Sequence, residues 1–346
     1  MVNNILTQSL ILCLFSFALS VWLTPLVSTF AKKFGLIDDP KKNSHPKVVH
    51  TKPTPRAGGV AIAASVAISS VLFLPQNSVT STIIIGAILI SILGVLDDKF
   101  NIHPIPRLIA LFAISLLPIA AGINISFFTN PLTGQVFNLS NFGAAEAIIS
   151  ALFSATWIVS LMMFLNMGAK GLPGQLPGVV TIAAVVVWSL SLRFSSDKIE
   201  LPIILMSAIT AGAFAGFIPM NMYPQRIMPG FSGSVLAGFL LGILSIQSTA
   251  KIGTTLVVLG VPIIDTAFTI LRRIASGKHP IWGDRGHLHH KLMDNLGLKQ
   301  NQVTYFYWIV TASLGITALN LDAQSKLITL LAIGLILGGF LLTIRK

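Results

Sequence analysis

Seven consecutive residues late in the chain, Asp284-Arg-Gly-His-Leu-His-His290, bring together a carboxylate, a guanidinium and three imidazoles. They follow an apolar stretch beginning at Gly260 that carries one carboxylate, Asp265, and ends on Arg272 and Arg273. An ionisable group within a membrane-length apolar run is costly, so Asp265 is a functional candidate by default. In a helix the two arginines fall about two turns from Asp265 on its face, which makes an anion-binding surface with a carboxylate above it. Asp284, His287, His289 and His290 could instead supply four zinc ligands. Adjacent His289 and His290 point in different directions on most backbones, and Arg285 with the three His suits a diphosphate clamp better.

Other polar clusters interrupt the apolar chain. Asp97 and Asp98 follow Leu93-Gly-Val-Leu, and two adjacent carboxylates repel unless a cation or a proton lies between them. That pair suits Mg²⁺ or general-base work. The loop 28–56 holds His50, Arg56 and a run of lysines before Gly58-Gly59. It suits a phosphate-rich ligand or anionic head groups, or serves only to set topology. Asn166-Met-Gly-Ala-Lys-Gly-Leu-Pro-Gly-Gln-Leu-Pro-Gly178 breaks two apolar spans, and such backbone at membrane depth must be buried in protein or line a cavity. Its Lys170 could face phosphate oxygens. A second Gly-rich entry, Met228-Pro-Gly-Phe-Ser-Gly-Ser234, opens a later apolar run.

The elements that must position these residues are membrane helices. Of 346 residues, 53% are hydrophobic and only 10% charged, with a mean hydropathy of +0.82; soluble domains carry about 25% charged residues. Apolar runs of near-spanning length occur at about 5–27, 57–75, 81–96, 107–125, 144–165, 176–193, 202–219, 234–249, 253–271, 304–320 and 325–343, at the usual requirement of roughly 20 residues per span. The expected architecture is all-α: a single membrane-embedded domain over residues 1–346 with about 10–11 transmembrane helices. No Lys or Arg occurs before Lys32, so the first run reads as a retained helix rather than a cleaved signal. With the amino terminus outside, all 23 Lys and Arg fall on cytosolic segments except Arg193, Lys198, Lys251 and Lys326. This bias predicts an outside amino terminus, a cytosolic carboxy terminus and a cytosolic-face active site. That site would be built from segments 28–56, 97–106, 166–178, 220–233 and 272–303. The net charge of +12 is therefore mostly topological, with phosphate binding as a second use, and nucleic acid is not an expected partner. The single Cys13 excludes a disulfide framework.

Taken together the motifs resemble those of the polyprenyl-phosphate N-acetylhexosamine-1-phosphate transferases, from Gly35 to about His290. The likeness rests on Gly35-Leu-Ile-Asp-x-Pro with His50-x-x-Pro-Thr-Pro-x-x-Gly-Gly59, on Gly94-x-x-Asp-Asp98, on Pro262-x-x-Asp265 with Arg272-Arg273, and on Asp284-Arg-x-His-x-His-His290. The resemblance implies transfer of a sugar 1-phosphate from a UDP-sugar to a polyprenyl phosphate with release of UMP, at the plasma membrane, in cell-wall or surface-polysaccharide synthesis. It implies Mg²⁺ or Mn²⁺ on Asp97, Asp98 and Asp265, with His289 also catalytic. Substrate contacts would come from His50, Arg56, Asn166, Lys170, Arg272, Arg273, Asp284, Arg285, His287 and His290. A homodimer is compatible with it. Two departures stand out. Lys170 and Pro173 occupy positions where the family has Asp, and Phe231 replaces an Asp that the family is expected to use for Mg²⁺. A catalytically silent relative that binds lipid phosphate or nucleotide sugar is the alternative these departures favour. A transporter using intramembrane carboxylates is another, and it predicts broken helices in two matching halves.

Overall fold

The computed structural model describes residues 2–41, 49–193, 201–247, 251–277 and 285–343. The protein is 78% helical, and every apolar run read from the sequence is a helix or a broken helix. In chain order these are α1 (Val2–Lys33), α2 (Gly58–Phe73), α3 (Ser78–Phe100), α4 (Pro104–Ala120), α5 (Glu146–Gly168), α6 (Gln175–Arg193), α7 (Leu201–Asn221), α8 (Gly230–Ile246), α9 (Lys251–Val258), α10 (Gly260–Ala275), α11 (Leu288–Leu296), α12 (Gln300–Ala318) and α13 (Ala323–Thr343). Six stretches, containing α1, α3, α5, α6, α7 and α13, are long and apolar enough to cross a bilayer, and the α9–α10 pair makes a seventh if counted as one span. Helices α2, α4 and α8 are apolar but shorter. The protein is thus a multi-pass membrane protein.

The short helices have a reason. Every residue of α8 from Gly230 to Ile246 is buried, and α2, α3, α5, α6, α7 and α9 pack around it. A helix apolar on all sides and enclosed by protein is a core helix, so it need not match the bilayer thickness. By contrast α13 keeps Ile328, Leu331, Leu335, Ile336 and Leu342 exposed, as a lipid-facing helix does.

Packing around α8 depends on absent side chains. A Cβ on Gly59 of α2 would lie 2.1 Å from the Gly233 nitrogen, and one on Gly94 of α3 2.3–2.5 Å from Ser232 Cβ, Cα and N. Small residues let membrane helices approach backbone to backbone where no hydrophobic effect drives them together. Gly94→Ala is therefore expected to destabilise the protein by about 1–3 kcal/mol through overpacking, read as a lowered unfolding temperature in detergent.

The run 253–271 is not one straight span. Helices α9 and α10 meet at 76° across Leu259. Pro262 has no N–H to offer the carbonyl of Val258, and Gly260 weakens the same turn, so the helical ladder fails there. The break leaves Asp265 early in α10, which packs against α5 and α13.

Two short antiparallel pairs complete the fold: β1 (Ile37–Asp38) with β2 (Thr54–Pro55), and β3 (Phe127–Thr129) with β4 (Val136–Asn138). The first pair brings the two ends of the basic loop together beside the start of α2. Arg56 N–H donates to the Leu36 carbonyl at 3.0 Å, and Met228 N–H donates to the Pro55 carbonyl at 2.7 Å, tying this loop to the entry of α8.

Candidate functional site

The polar residues singled out in the sequence gather at one end of the bundle in two adjoining groups. The first surrounds the end of α3. Asp97, 9% exposed, receives both of its contacts from Arg107 Nη1 of α4, at 3.0 and 3.1 Å. Its neighbour Asp98 points to α8, where it accepts from Phe231 N–H at 3.1 and 3.3 Å. That amide lies in the first turn of α8, where unpaired N–H groups and the helix dipole favour an anion. Gly230 makes the approach possible: its φ is +70°, and a Cβ would come within 2.3 Å of Asp98 Oδ2 and 2.0 Å of the Arg56 carbonyl. Any other residue would be strained in backbone and would displace the carboxylate.

Cations surround this pair. Arg56 Nη2 contacts Asp38 Oδ2 at 2.9 Å, and His50 Nε2 approaches the same oxygen at 3.9 Å. Lys170 donates to Asn166 Oδ1 at 3.0 Å, and the Ser234 hydroxyl donates to the same amide oxygen at 2.8 Å. The Phe231 ring lies against two of the cations, 4.5 Å from the Arg107 guanidinium carbon and 5.9 Å from Lys170 Nζ. Each distance is within cation–π range.

The second group is built on α10 and the start of α11. Asp265 is fully buried. Its Oδ1 accepts from Leu288 N–H at 2.7 Å and its Oδ2 lies 2.9 Å from His287 Nδ1. It therefore caps α11 and, as an acceptor, fixes the His287 tautomer with the proton on Nδ1. The rings of His287 and His289 stack at 5.7 Å, those of His289 and His290 meet at 4.3 Å, and all three side chains are buried. Arg272 Nη1 donates to the Gly286 carbonyl at 3.3 Å, holding the approach to the histidines, and Arg273 is buried in α10. Lys291 on α11 donates to the Leu341 carbonyl. Burial lowers its ammonium pKa, the Arg272 charge lowers it further, and Asp265 opposes both.

One turn joins the two groups. Helix α5 continues to Gly168 and α6 begins at Gln175, so the irregular backbone is confined to residues 169–174, shorter than the interruption expected over Asn166–Gly178. Gly174 N–H donates to Asn221 Oδ1 and Leu172 N–H to Gln175 Oε1. The Pro173 carbonyl accepts from Thr304 and the Gly174 carbonyl from Trp308. This is how non-helical backbone is tolerated inside an apolar bundle. Gly171 forms the wall under His289: a Cβ there would lie 2.2–2.5 Å from three atoms of the imidazole ring. Lys170 of the first group is thus the sequence neighbour of Gly171, which lies against His289 of the second.

Asp97, Asp98 and Asp265 each face a different partner, and among the described residues no three His, Cys, Asp or Glu side chains are grouped so as to hold a metal ion. The three histidines form no such group among the described residues either. Asp97 is held by Arg107 and Asp265 by α11, whereas Asp98 has a backbone N–H as its hydrogen-bond donor. Magnesium is commonly bound by one or two carboxylates completed by substrate phosphates rather than by a full protein cage, and Asp98 fits that lesser role. Arg285 donates to both carboxylate oxygens of Asp294, at 3.0 and 2.7 Å. Asp284 lies outside the described residues.

Sequence reasoning missed Arg107, Asp38 and Ser234 as parts of the site. Arg107 could have been found: it stands one turn into the helix after the Asp pair, across a short Pro-containing connection, where an antiparallel neighbour must bring it back.

A bundle of apolar helices thus carries buried carboxylates, cations and a histidine cluster at one end, a set of groups chemically suited to phosphate. Residues 80–249 match the model of glycosyl transferase family 4. The chain is 29% identical to the probable undecaprenyl-phosphate N-acetylglucosaminyl 1-phosphate transferase of Bacillus subtilis over 322 residues, which covers 90% of this chain and 84% of the relative. It is 27% identical to the decaprenyl-phosphate N-acetylglucosaminephosphotransferase of Mycolicibacterium smegmatis, covering 78% and 71%. An archaeal relative, the putative UDP-N-acetylglucosamine–dolichyl-phosphate N-acetylglucosaminephosphotransferase of Saccharolobus solfataricus, is also 27% identical, over 91% and 97%. The family match and the names of these relatives together support glycosyl transferase family 4 for this chain.

Proposed function

We propose that the protein transfers N-acetylglucosamine 1-phosphate from UDP-N-acetylglucosamine to a polyprenyl phosphate, releasing UMP, at the cytosolic face of the plasma membrane. The observation that carries this reading is the cluster of Arg56 and Lys170 near Asp98 with Arg107 on Asp97, one turn of backbone from the histidine cluster at one end of an apolar bundle. The names of the relatives supply the substrates. The distribution of Lys and Arg supports the orientation, with the amino terminus outside and the carboxy terminus in the cytosol.

In this reaction an oxygen of the lipid phosphate attacks the phosphorus that bears the sugar. A new P–O bond forms, the bond joining the two phosphates of the UDP-sugar breaks, and UMP leaves with that bridging oxygen. A phosphate monoester has a second pKa near 6, so the nucleophile is largely ionised at neutral pH without a strong base. The protein's task is to hold three anionic groups in line and to neutralise charge as it moves. Arg56 and Lys170 would receive the phosphates beside Asp98, and His289 and His290 would meet the diphosphate from the other wall. Asp265 acts through His287, keeping its ring oriented. A magnesium ion, if bound, would sit on Asp98 and supply charge neutralisation to the diphosphate.

Lys170 stands where the resembled family has an acid, which gives this chain a permanent cation at the phosphate site. Lys170→Ala should lower turnover about tenfold or more, because a charge-assisted hydrogen bond of about 1.5–3 kcal/mol is lost, while Lys170→Arg retains most of it. Unchanged turnover in Lys170→Ala would remove this role.

The test of the function is UMP release by purified protein from UDP-N-acetylglucosamine with a polyprenyl phosphate, with and without Mg²⁺. Release that requires the lipid phosphate supports the transferase. Nucleotide-sugar binding without release supports a silent relative, the reading that Pro173 and Phe231 favour. The transporter reading loses ground because, among the described residues, the one broken helix pair has no counterpart elsewhere in the chain.

A further inference from the structure

The end of the bundle remote from the polar site carries an aromatic surface that the transferase reading does not use. Helix α4 ends at Ala120 and α5 begins at Glu146, and no Lys, Arg, His, Asp or Glu lies between those two residues. The β3–β4 hairpin occupies this connection. Phe128 and Phe137 stand opposite one another across the pair, stacked at 5.0 Å between ring centroids. Phe142 meets Phe137 at 5.9 Å, and Phe153 of α5 meets Phe128 at 6.4 Å, both within the range of aromatic pairs. All four rings are nevertheless exposed, as are Leu132 at the hairpin tip and Val136.

Two observations say what covers this surface. The first is continuity. Phe153 belongs to the exposed side of α5 with Ile148 and Leu152, in a stretch long and apolar enough to cross a bilayer. The hairpin therefore extends a face that already looks onto hydrocarbon. The second is the way the connection treats its polar groups. Asn130 N–H donates to the Gln135 carbonyl and Gly134 N–H to the Asn130 carbonyl, both at 2.8 Å. The Asn130 side chain accepts from Leu132 and Thr133 N–H. At the root, Ile125 N–H donates to Ser154 Oγ, the Ser150 hydroxyl donates to the Ile125 carbonyl, and Leu139 N–H donates to the Ser126 carbonyl. A loop in water can leave its main chain to solvent, whereas one against lipid must close it on protein. A charge-free, aromatic element bonded to itself suits the interfacial zone of a bilayer, where aromatic rings concentrate.

We propose that the aromatic face of the β3–β4 hairpin is a membrane-surface site. It lies in the interfacial zone of the leaflet remote from the polar site and binds lipid there, fixing the α4–α5 connection against the bilayer. The inference is independent of the transferase reading, because the hairpin and the polar residues lie at opposite ends of α4 and α5.

The experiment uses the full-length protein in phosphatidylcholine nanodiscs, with Cys13, its single cysteine, replaced by serine. A nitroxide is attached at Leu132→Cys, at Val136→Cys and, as a reference, at Gln324→Cys, an exposed position in the first turn of α13 at the same end of the bundle. Power saturation reads collision of each label with oxygen, which concentrates in lipid, and with a water-soluble nickel chelate. The expected result is loss of nickel accessibility at both hairpin positions, with oxygen accessibility kept, and full nickel accessibility at Gln324→Cys. Leu132 is 74% exposed, so labelling there should leave the unfolding temperature unchanged. Phe137→Asp, added to the Leu132→Cys protein, should restore nickel accessibility, because a carboxylate is disfavoured in the apolar part of the bilayer. Nickel accessibility at both hairpin positions equal to that at Gln324→Cys overturns the proposal. Protection from oxygen and nickel alike also overturns it, since a protein surface would then cover the patch. Failure of Phe137→Asp to restore accessibility would show that the rings do not hold the hairpin in lipid, and overturns it as well.

Discussion

Asp98→Asn should lower UMP release about 10²–10³-fold, the scale seen when one preorganised electrostatic group is removed from a reaction that moves charge. Asp98 faces the first turn of α8 and is the carboxylate for which the missing side chain of Gly230 leaves room. The amide oxygen of asparagine can still accept from Phe231 N–H, so the unfolding temperature should stay close to that of the parent. Asp97→Asn makes the informative comparison. Asp97 is committed to Arg107, so its loss releases a cation toward the Phe231 ring and acts on the packing of α3 against α4. Its effect on turnover should be at least tenfold smaller than that of Asp98→Asn, an energy difference of about 1.4 kcal/mol. Steady-state rates of the two purified variants, with their unfolding temperatures, check both statements. Equal losses would mean that the two carboxylates act as a unit.

Asp265→Ala should have the largest effect on stability. The buried carboxylate is the acceptor for both His287 Nδ1 and the Leu288 amide, and each buried group left without its partner costs about 1–3 kcal/mol. The loss falls on the start of α11, so His289 and His290 should lose their positions and activity should fall with stability. Asp265→Asn keeps an acceptor for the amide and should recover part of the stability. A calorimetric or fluorescence melt of both variants in the same detergent measures the difference. A melt of Asp265→Ala indistinguishable from the parent would show that Asp265 does not organise this loop.

Helices were legible because an apolar run of membrane length has few alternatives, and all of the proposed runs are helical. Whether each crosses the bilayer was less legible. Helix α8 is only 17 residues long and wholly enclosed, and enclosure by protein leaves no mark on an apolar run that exposure to lipid would not also leave. The break before α10 was written in Gly260 and Pro262, yet hydropathy averages over both. Individual site residues were legible by type: a carboxylate, a guanidinium or an imidazole in an apolar chain must be bonded to something. Their partners were not. Nothing local in the sequence says that Asp97 goes to Arg107, Asp98 to a backbone amide and Asp265 to a helix start. Those choices are made by the crossing of α3, α4 and α8, which depends on glycines far apart in the chain. Three carboxylates in an apolar chain suggest a shared metal site, whereas in the fold each of the three faces a different partner.

The most direct measurement follows the phosphorus. The purified protein is given a polyprenyl phosphate and UDP-N-acetylglucosamine labelled with ³²P at the phosphate attached to the sugar. Transfer of the sugar 1-phosphate carries the label into the lipid fraction, one equivalent for each UMP released, and Asp98→Asn lowers both by the same factor of about 10²–10³. Label retained in UDP while the sugar moves to lipid would contradict the account, because the sugar–phosphate bond rather than the phosphate–phosphate bond would then be the one that breaks.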